Sequence, residues 1–151
     1  FKKQHANNQK LTITDEKMTR FFLLLQHAVD LCDFAVENMQ GGEIFVKNMG
    51  SCDIMTLAKS VTQSDSFPYT IIGSKLGEKL YEELLTEPEL TRTVQCKSWY
   101  IVLPENLRQG NDAELYWRDY EPIKIDGSTL NSSDQLLSVK QVTELLNEAD
   151  I

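Results

Sequence analysis

Apolar residues recur along this chain with two spacings, one typical of strands and one typical of helices. Residues 11–14 alternate in the strand manner, and apolar, β-branched or aromatic residues form compact runs at 20–25, 43–47, 69–72 and 99–103, so we predict strands there. From Gln26 the spacing changes to three and four residues, which predicts a helix that ends at Gly41 and Gly42. Its apolar positions are Ala28, Leu31, Cys32, Ala35, Val36 and Met39. The alternation of strands and helices predicts an α/β fold.

Capping residues mark the start of three further helices. Asp53 precedes a stretch with helical apolar spacing, and Thr86 precedes a first turn that contains Pro88. Ser138 and Gln141 form a capping-box pattern at the start of a final helix. We therefore expect each of these helices to begin directly after its capping residue.

These signals divide the chain into four predicted parts. Residues 1–10 form a polar lead-in, 11–103 an α/β region, 104–137 a loop-rich segment with many turn formers, and 138–151 the C-terminal helix. The lead-in begins without a methionine, a helix cap or a strand pattern. We therefore expect the chain to begin within a longer protein.

The charge and the length of the chain limit the kinds of partner that it can bind. The chain has 151 residues, enough for one domain with a real core, and a formal net charge of −8. Such an acidic chain does not favour nucleic acid or an anionic membrane as a partner, although local basic groups can still bind a small anion. The longest apolar run, 21–25, is far below the roughly 20 residues of a membrane span, and no cleavable signal is visible. We expect a cytoplasmic protein without a membrane partner.

The cysteines and histidines are spaced too widely for a metal site. Cys32, Cys52 and Cys96 are odd in number and do not cluster with His5 or His27. We expect free thiols that are buried or half-buried, and no metal.

Arg20 is the first candidate for binding an anion. It stands inside an apolar strand, where a guanidinium must be paired. One interpretation is a salt bridge with Asp15, Glu16 or Asp30, and the other is a bound anion such as a phosphate.

The second candidate is the glycine-bearing turn after the strand at 69–72. Its glycines, Gly73 and Gly77, are spaced differently from those of a P-loop, and Gly77 is followed by Glu78 where a P-loop has lysine. Lys75 could contact a phosphate, and Glu78 could accept hydrogen bonds from a ribose diol. The alternative is a solvated turn with surface charges.

No residue pattern supplies a catalytic group. Tyr120 and Lys124 have the Tyr-x-x-x-Lys spacing of short-chain dehydrogenases, but Pro122 between them forbids the helix on which that pair must lie. Nucleophilic Ser/His/Asp or Cys/His sets also lack supporting spacing. We assign no catalytic residue to this chain.

Three segments, Thr12–Phe21, Met39–Val46 and Gly77–Glu82, together resemble the C-terminal half of bacterial UDP-N-acetylglucosamine 4,6-dehydratases. The resemblance is to the inverting type, which also epimerises C5, and it covers about 11–85 well. These lyases are extended short-chain dehydrogenase/reductase enzymes of flagellin-glycan and capsule polysaccharide synthesis. The resemblance implies the substrate-binding part of such an α/β enzyme, lacking most of the Rossmann domain.

The same resemblance implies roles for three residues. Arg20 falls at the arginine that contacts the UDP diphosphate, and Glu78 at the acidic residue that holds the uridine ribose. Lys75 stands where most members carry an arginine for the diphosphate, and a lysine lacks the planar two-pronged contact of arginine.

The resemblance also implies partners that this chain lacks. The NADP-binding loop and the catalytic residues of the family precede the region represented here, so we expect NADP in the complete enzyme and no cofactor bound by this chain alone. The partners are a UDP-sugar and the missing N-terminal Rossmann half, in an enzyme that forms a homo-oligomer when complete. The alternative is a non-catalytic module for nucleotide-sugar binding or oligomerisation.

Overall fold

The computed structural model describes residues 1–105, 121–122 and 129–149. Within these residues the helices are α1 (Lys2–Ala6), α2 (Leu25–Asn38), α3 (Ile54–Thr62), α4 (Glu87–Leu90) and α5 (Val139–Glu148). The first strands are β1 (Leu11–Ile13), β2 (Thr19–Phe21), β3 (Ile44–Lys47), β4 (Ser51–Asp53) and β5 (Tyr69–Ile71). The remaining strands are β6 (Glu83–Leu85), β7 (Thr93–Cys96), β8 (Trp99–Val102), β9 (Glu121–Pro122) and β10 (Leu130–Asn131). The predicted α/β class is confirmed.

The predicted helix starts are confirmed by their capping contacts. The Thr56 N–H donates to Asp53 Oδ1 at 2.7 Å, which satisfies a backbone donor in the first turn of α3. Capping boxes begin α4, at Thr86, and α5, at Ser138. Helix α2 ends at Asn38, before the predicted stop at Gly41 and Gly42, because Met39 already has extended backbone. The two glycines have φ of 130° and 87°, a backbone region that favours glycine, in the turn before β3.

Several elements differ from the prediction. The strand predicted at 20–25 is shorter, since β2 ends at Phe21 and α2 begins at Leu25. The sequence prediction missed the strands β4, β6, β7, β9 and β10 and the helix α1. Most of these elements have two to four residues, too few to show a period. β9 and β10 lie in the segment predicted to be loop.

Residues 1–22, 50–82 and 132–151 form the first of two compact units. In it, β1 pairs in parallel with β5, and β2 pairs antiparallel with β4. Helix α3 packs against α5 and α1. The buried apolar residues of this unit are Leu11, Ile13, Met18, Cys52, Ala58 and Val142.

Residues 23–49 and 83–131 form the second unit. Its four-stranded sheet has the order β3-β8-β7-β9 with antiparallel neighbours, and β6 pairs with β10. Helix α2 contacts this sheet through Phe34, whose ring lies 5.9 Å from that of Phe45 and 5.5 Å from that of Trp99. Both units draw on segments far apart in sequence, and the predicted four-part division of the chain stays a prediction.

Helix α2 does not bury the apolar face that the sequence predicted. Leu31 and Ala35 are half-buried, as is Phe34, but Cys32, Val36 and Met39 are exposed. The period is helical as predicted, yet apolar residues occupy two sides of the helix and only one side packs on the sheet. Within the described residues, no helix has both the length and the apolar character that crossing a membrane requires.

Candidate functional site

Arg20 lies in the middle of β2, and its guanidinium contacts both its own strand and the segment that follows the glycine-bearing turn. Nη1 donates to the carbonyl oxygen of Thr19 at 2.7 Å and to that of Leu80 at 3.4 Å. Nε lies 3.7 Å from Glu82 Oε1, and the side chain keeps 27% of its surface exposed. Within the described residues, no hydrogen-bond partner faces Nη2. Among the described residues, the two N–H donors of Nη2 therefore have no acceptor.

The carboxylates expected to pair with Arg20 each accept a hydrogen bond from another residue, and for Asp30 the donor is the Gln26 side-chain amide at 2.8 Å. Asp15 Oδ1 accepts a hydrogen bond from the Lys17 N–H at 2.8 Å. Glu16 accepts a hydrogen bond from the Tyr69 hydroxyl, and this contact raises the pKa of Tyr69. The ion-pair partner is Glu82, which was not among the predicted carboxylates. The prediction considered only carboxylates close to Arg20 in sequence. Glu82 lies beside Arg20 because the loop after β5 returns to β2.

The glycine-bearing turn after β5 is closed by its own residues. The Lys75 N–H donates to Glu78 Oε2 at 2.7 Å, and the Glu78 N–H donates to the Lys75 carbonyl at 3.1 Å. Gly73 and Gly77 have φ of 78° and 88°, so both positions favour glycine. The side chains of Lys75 and Glu78 are exposed. Glu78 therefore has a structural role in the turn through Oε2, while no hydrogen bond to Oε1 is seen within the part of the chain that the structure describes.

This glycine turn does not have the geometry of a dinucleotide-binding loop. Such a loop joins a strand directly to a helix, whose N-terminus holds the pyrophosphate. Here β5 and the turn are followed by β6, and the next helix is α4. Gly41 and Gly42 follow a helix instead of a strand. Neither glycine turn fits NADP, and no reaction step through that cofactor can be derived from the described residues.

The Leu80 carbonyl joins the glycine turn to β2. It accepts hydrogen bonds from the Thr19 N–H at 2.8 Å and from Arg20 Nη1 at 3.4 Å. A chain extends by at most about 3.6 Å per residue, so the Cα atoms of Glu78 and Lys75 lie within roughly 7 Å and 18 Å of the Leu80 Cα. All three predicted site residues therefore belong to one region of the first unit.

Ser132 is a residue of this region that the sequence did not single out. It is fully buried, and its Oγ lies 2.7 Å from Thr19 Oγ1 and 3.2 Å from the Thr19 carbonyl. The Glu82 N–H donates to Ser132 Oγ at 2.9 Å, and the Ser132 N–H donates to the Glu82 carbonyl at 2.8 Å. Ser132 thus bonds directly to Thr19 and Glu82, two of the three residues that contact the Arg20 guanidinium. No local pattern signals this role, because its partners lie 50 and 113 residues away.

The cysteine thiols do not contribute to the candidate site. Cys52 pairs with Arg20 across β2 and β4, but burial raises its pKa to about 12, with the nearby Asp53 charge adding to the effect. Cys52 therefore stays protonated at neutral pH. Cys96 is half-buried, whereas Cys32 is exposed, contrary to expectation. Within the described residues, no three His, Cys, Asp or Glu side chains group as metal ligands.

Comparison with known proteins agrees with the sequence resemblance. The family model described as "Polysaccharide biosynthesis protein" matches residues 1–104. An inverting UDP-N-acetylglucosamine 4,6-dehydratase of Campylobacter jejuni (serotype O:23/36, strain 81-176) is 31% identical over 156 residues, covering 99% of this chain and 46% of that protein. A UDP-glucose 4-epimerase of Rickettsia rickettsii is 29% identical over 152 residues, covering 99% of this chain and 44% of that protein.

The fold is also found in a solved structure. The X-ray structure of Pen from Bacillus thuringiensis matches with a TM-score of 0.80 and 26% identity, covering 99% of this chain and 44% of that one. The chain spans less than half the length of these relatives. The family match and the full-chain similarity confirm the predicted resemblance, and the chain belongs to the polysaccharide biosynthesis protein family, within the extended short-chain dehydrogenases/reductases.

Proposed function

We propose that this chain is the nucleotide-sugar-binding part of a UDP-N-acetylglucosamine 4,6-dehydratase that acts in surface polysaccharide or flagellin-glycan synthesis. The observation that carries the proposal is the position of Arg20. Its partly exposed guanidinium, with Nη2 donors unused within the described residues, lies where β2 meets the loop that contains Lys75 and Glu78.

A diphosphate can compete with the existing partners of Arg20. At 3.7 Å, Glu82 is an ion-pair partner beyond hydrogen-bond distance, and its side chain is 46% exposed. Such exposed pairs contribute about 1 kcal/mol at most. A diphosphate carries more negative charge and matches the planar fork of an arginine. Arg20 therefore meets the requirements for the diphosphate contact while Thr19 and Leu80 hold it in position.

Lys75 and Glu78 complete the proposed site from the turn. Lys75 supplies a second cation, as a point charge on a flexible stem rather than a fork. Glu78 Oε1 accepts hydrogen bonds from the ribose while Oε2 holds the turn closed. One side chain would then shape the turn and recognise the nucleoside.

In the complete enzyme, NADP supplies the hydride chemistry, and this chain binds and orients the UDP group beside it. We place that complete enzyme in the cytoplasm as a homo-oligomer, with the N-terminal Rossmann half carrying the catalytic residues. The chain alone then has no dehydratase activity.

A second candidate function follows from the relatives that are named UDP-glucose 4-epimerases. Both groups of relatives are named for UDP-sugars, so the proposed roles of Arg20, Lys75 and Glu78 would be the same in either enzyme. The two candidates differ in the sugar and in the loss of water. A non-catalytic module that retains the UDP-sugar surface is the third alternative.

Isothermal titration of the chain with UDP, UMP and uridine tests the proposal. We expect affinity to fall in that order and the difference between UDP and uridine to shrink as salt rises, because the diphosphate contact is ionic. Equal affinity for UDP and uridine, or no binding of either, would contradict it. Mass spectrometry after incubation with UDP-N-acetylglucosamine and NADP tests the claim that catalysis lies elsewhere, which loss of one water from the sugar nucleotide would refute.

A further inference from the structure

One face of helix α2 exposes a continuous row of apolar side chains. The row, here called the outer stripe, consists of Leu25, Val29, Cys32 and Val36 on α2 and of Met39 directly after the helix. Leu25 is 83% exposed, Val36 70% and Met39 61%. Single exposed apolar residues are ordinary on protein surfaces, whereas a contiguous row marks an interaction site.

The spacing within the outer stripe indicates what shape covers it. On the helix the intervals are four, three and four residues, the spacing by which one helix packs along another. The opposite side of α2 already packs on the sheet through Phe34. With 14 residues, α2 is about 21 Å long, enough for four turns of a partner helix.

The charges beside the outer stripe indicate the chemistry of that partner. Asp30, Asp33 and Glu37 are exposed on α2, and the helix contains neither lysine nor arginine. Two copies of α2 packed together would bring these acidic residues near their counterparts, in chains that each carry a net charge of −8. A second copy is therefore disfavoured, and a helix with flanking lysine or arginine residues is complementary.

We propose that the outer stripe of α2 docks a basic-flanked amphipathic helix of the N-terminal half, the part of the relatives that this chain does not span. The chain covers only 44–46% of those relatives, so more than half of each has no counterpart here. The inference rests on the proposed function, because it takes the chain to work with that half. Beyond the proposed function, the inference assigns the surface by which this chain contacts the N-terminal half.

The test uses the purified N-terminal portion of the Campylobacter jejuni dehydratase that lies outside the matched region, titrated with this chain and followed by fluorescence anisotropy. We expect saturable binding by the wild-type chain. Val36→Glu and Leu25→Glu should each weaken it at least tenfold, and Asp33→Lys should weaken it about threefold or more. Circular dichroism checks that each variant folds.

Val139→Glu is the matched control. Val139 is also apolar and 39% exposed, but it lies at the start of α5, so its replacement should leave this binding unchanged. No binding by the wild-type chain, unchanged binding by both stripe variants, or self-association of the chain through α2 in sedimentation velocity would overturn the inference. UDP titration of the same proteins separates the two proposals. A wild-type chain that binds UDP but not the N-terminal portion refutes only the docking surface, and one that binds the N-terminal portion but not UDP refutes only the proposed function.

Discussion

Replacing Arg20 with alanine removes the group on which the proposed diphosphate contact depends. A hydrogen bond to a charged group contributes about 1.5–3 kcal/mol, and 1.4 kcal/mol is a tenfold change in Kd. Arg20→Ala should therefore weaken UDP binding about ten- to hundredfold. The 27% exposure of the side chain favours the lower part of that range, because solvent screens the contact.

The same substitution should leave the fold intact. The pair with Glu82 is long and partly exposed, so its loss costs about 1 kcal/mol or less in unfolding free energy. The carbonyls of Thr19 and Leu80 lose a donor, yet the Thr19 N–H still bonds to the Leu80 carbonyl. Arg20→Lys should recover only part of the affinity, because the fork is lost.

Isothermal titration of UDP into wild type, Arg20→Ala and Arg20→Lys measures the effect, with circular dichroism as the test of folding. Lys140→Ala is the charge-matched control, since Lys140 lies on α5 with 86% of its side chain exposed and pairs only weakly with Glu144. The control should bind UDP as wild type does. Unchanged UDP affinity in a well-folded Arg20→Ala protein would show that Arg20 does not contact the diphosphate and serves only in its ion pair with Glu82.

Three other perturbations follow from the same contacts. Glu82→Gln frees the Arg20 guanidinium from its competitor, so titration should show UDP binding that is stronger by up to about fivefold; weaker binding would indicate that Glu82 positions Arg20. Ser132→Ala removes the acceptor of the partly buried Glu82 N–H and the partner of the buried Thr19 hydroxyl, which should lower the free energy of unfolding in urea by about 1–3 kcal/mol, whereas an unchanged value would show that the network contributes nothing. A thiol reagent at neutral pH should label Cys32 quickly and Cys52 only after unfolding. Because folding raises the pKa of Cys52, the thiol loses its proton at lower pH in the unfolded state than in the folded state. The free energy of unfolding should therefore fall from pH about 8.5 towards 12, and it should fall more in wild type than in Cys52→Ala.

Local rules predicted the parts of the fold that depend on neighbours in sequence. Asp53 and Ser138 cap their helices because the N–H groups they accept from lie three residues away. The sequence predicts the helix stop at Gly41 and Gly42, which do adopt positive φ, but α2 already ends at Asn38. Such signals can be read without knowing the tertiary structure. The candidate site residues were predicted in addition from the resemblance to the family.

The contacts that hold the candidate site together could not be predicted in this way. Glu82 reaches Arg20 only because the loop after β5 returns to β2, and Ser132 reaches Thr19 across 113 residues. The outer stripe of α2 was missed for a related reason. The helical period gives the apolar positions, but the packing of Phe34 on the sheet decides which of them are buried.

The central claim is that Arg20 and the turn that contains Lys75 and Glu78 bind the UDP group. Nuclear magnetic resonance tests it most directly, by following the Arg20 Nε–H signal and the backbone amides of Gly73 and Gly77 while UDP-N-acetylglucosamine is added to the chain. We predict saturable shifts of all three signals with one common Kd, and no shift with N-acetylglucosamine alone. Saturable binding that leaves the Arg20 signal and the turn unchanged would contradict the account.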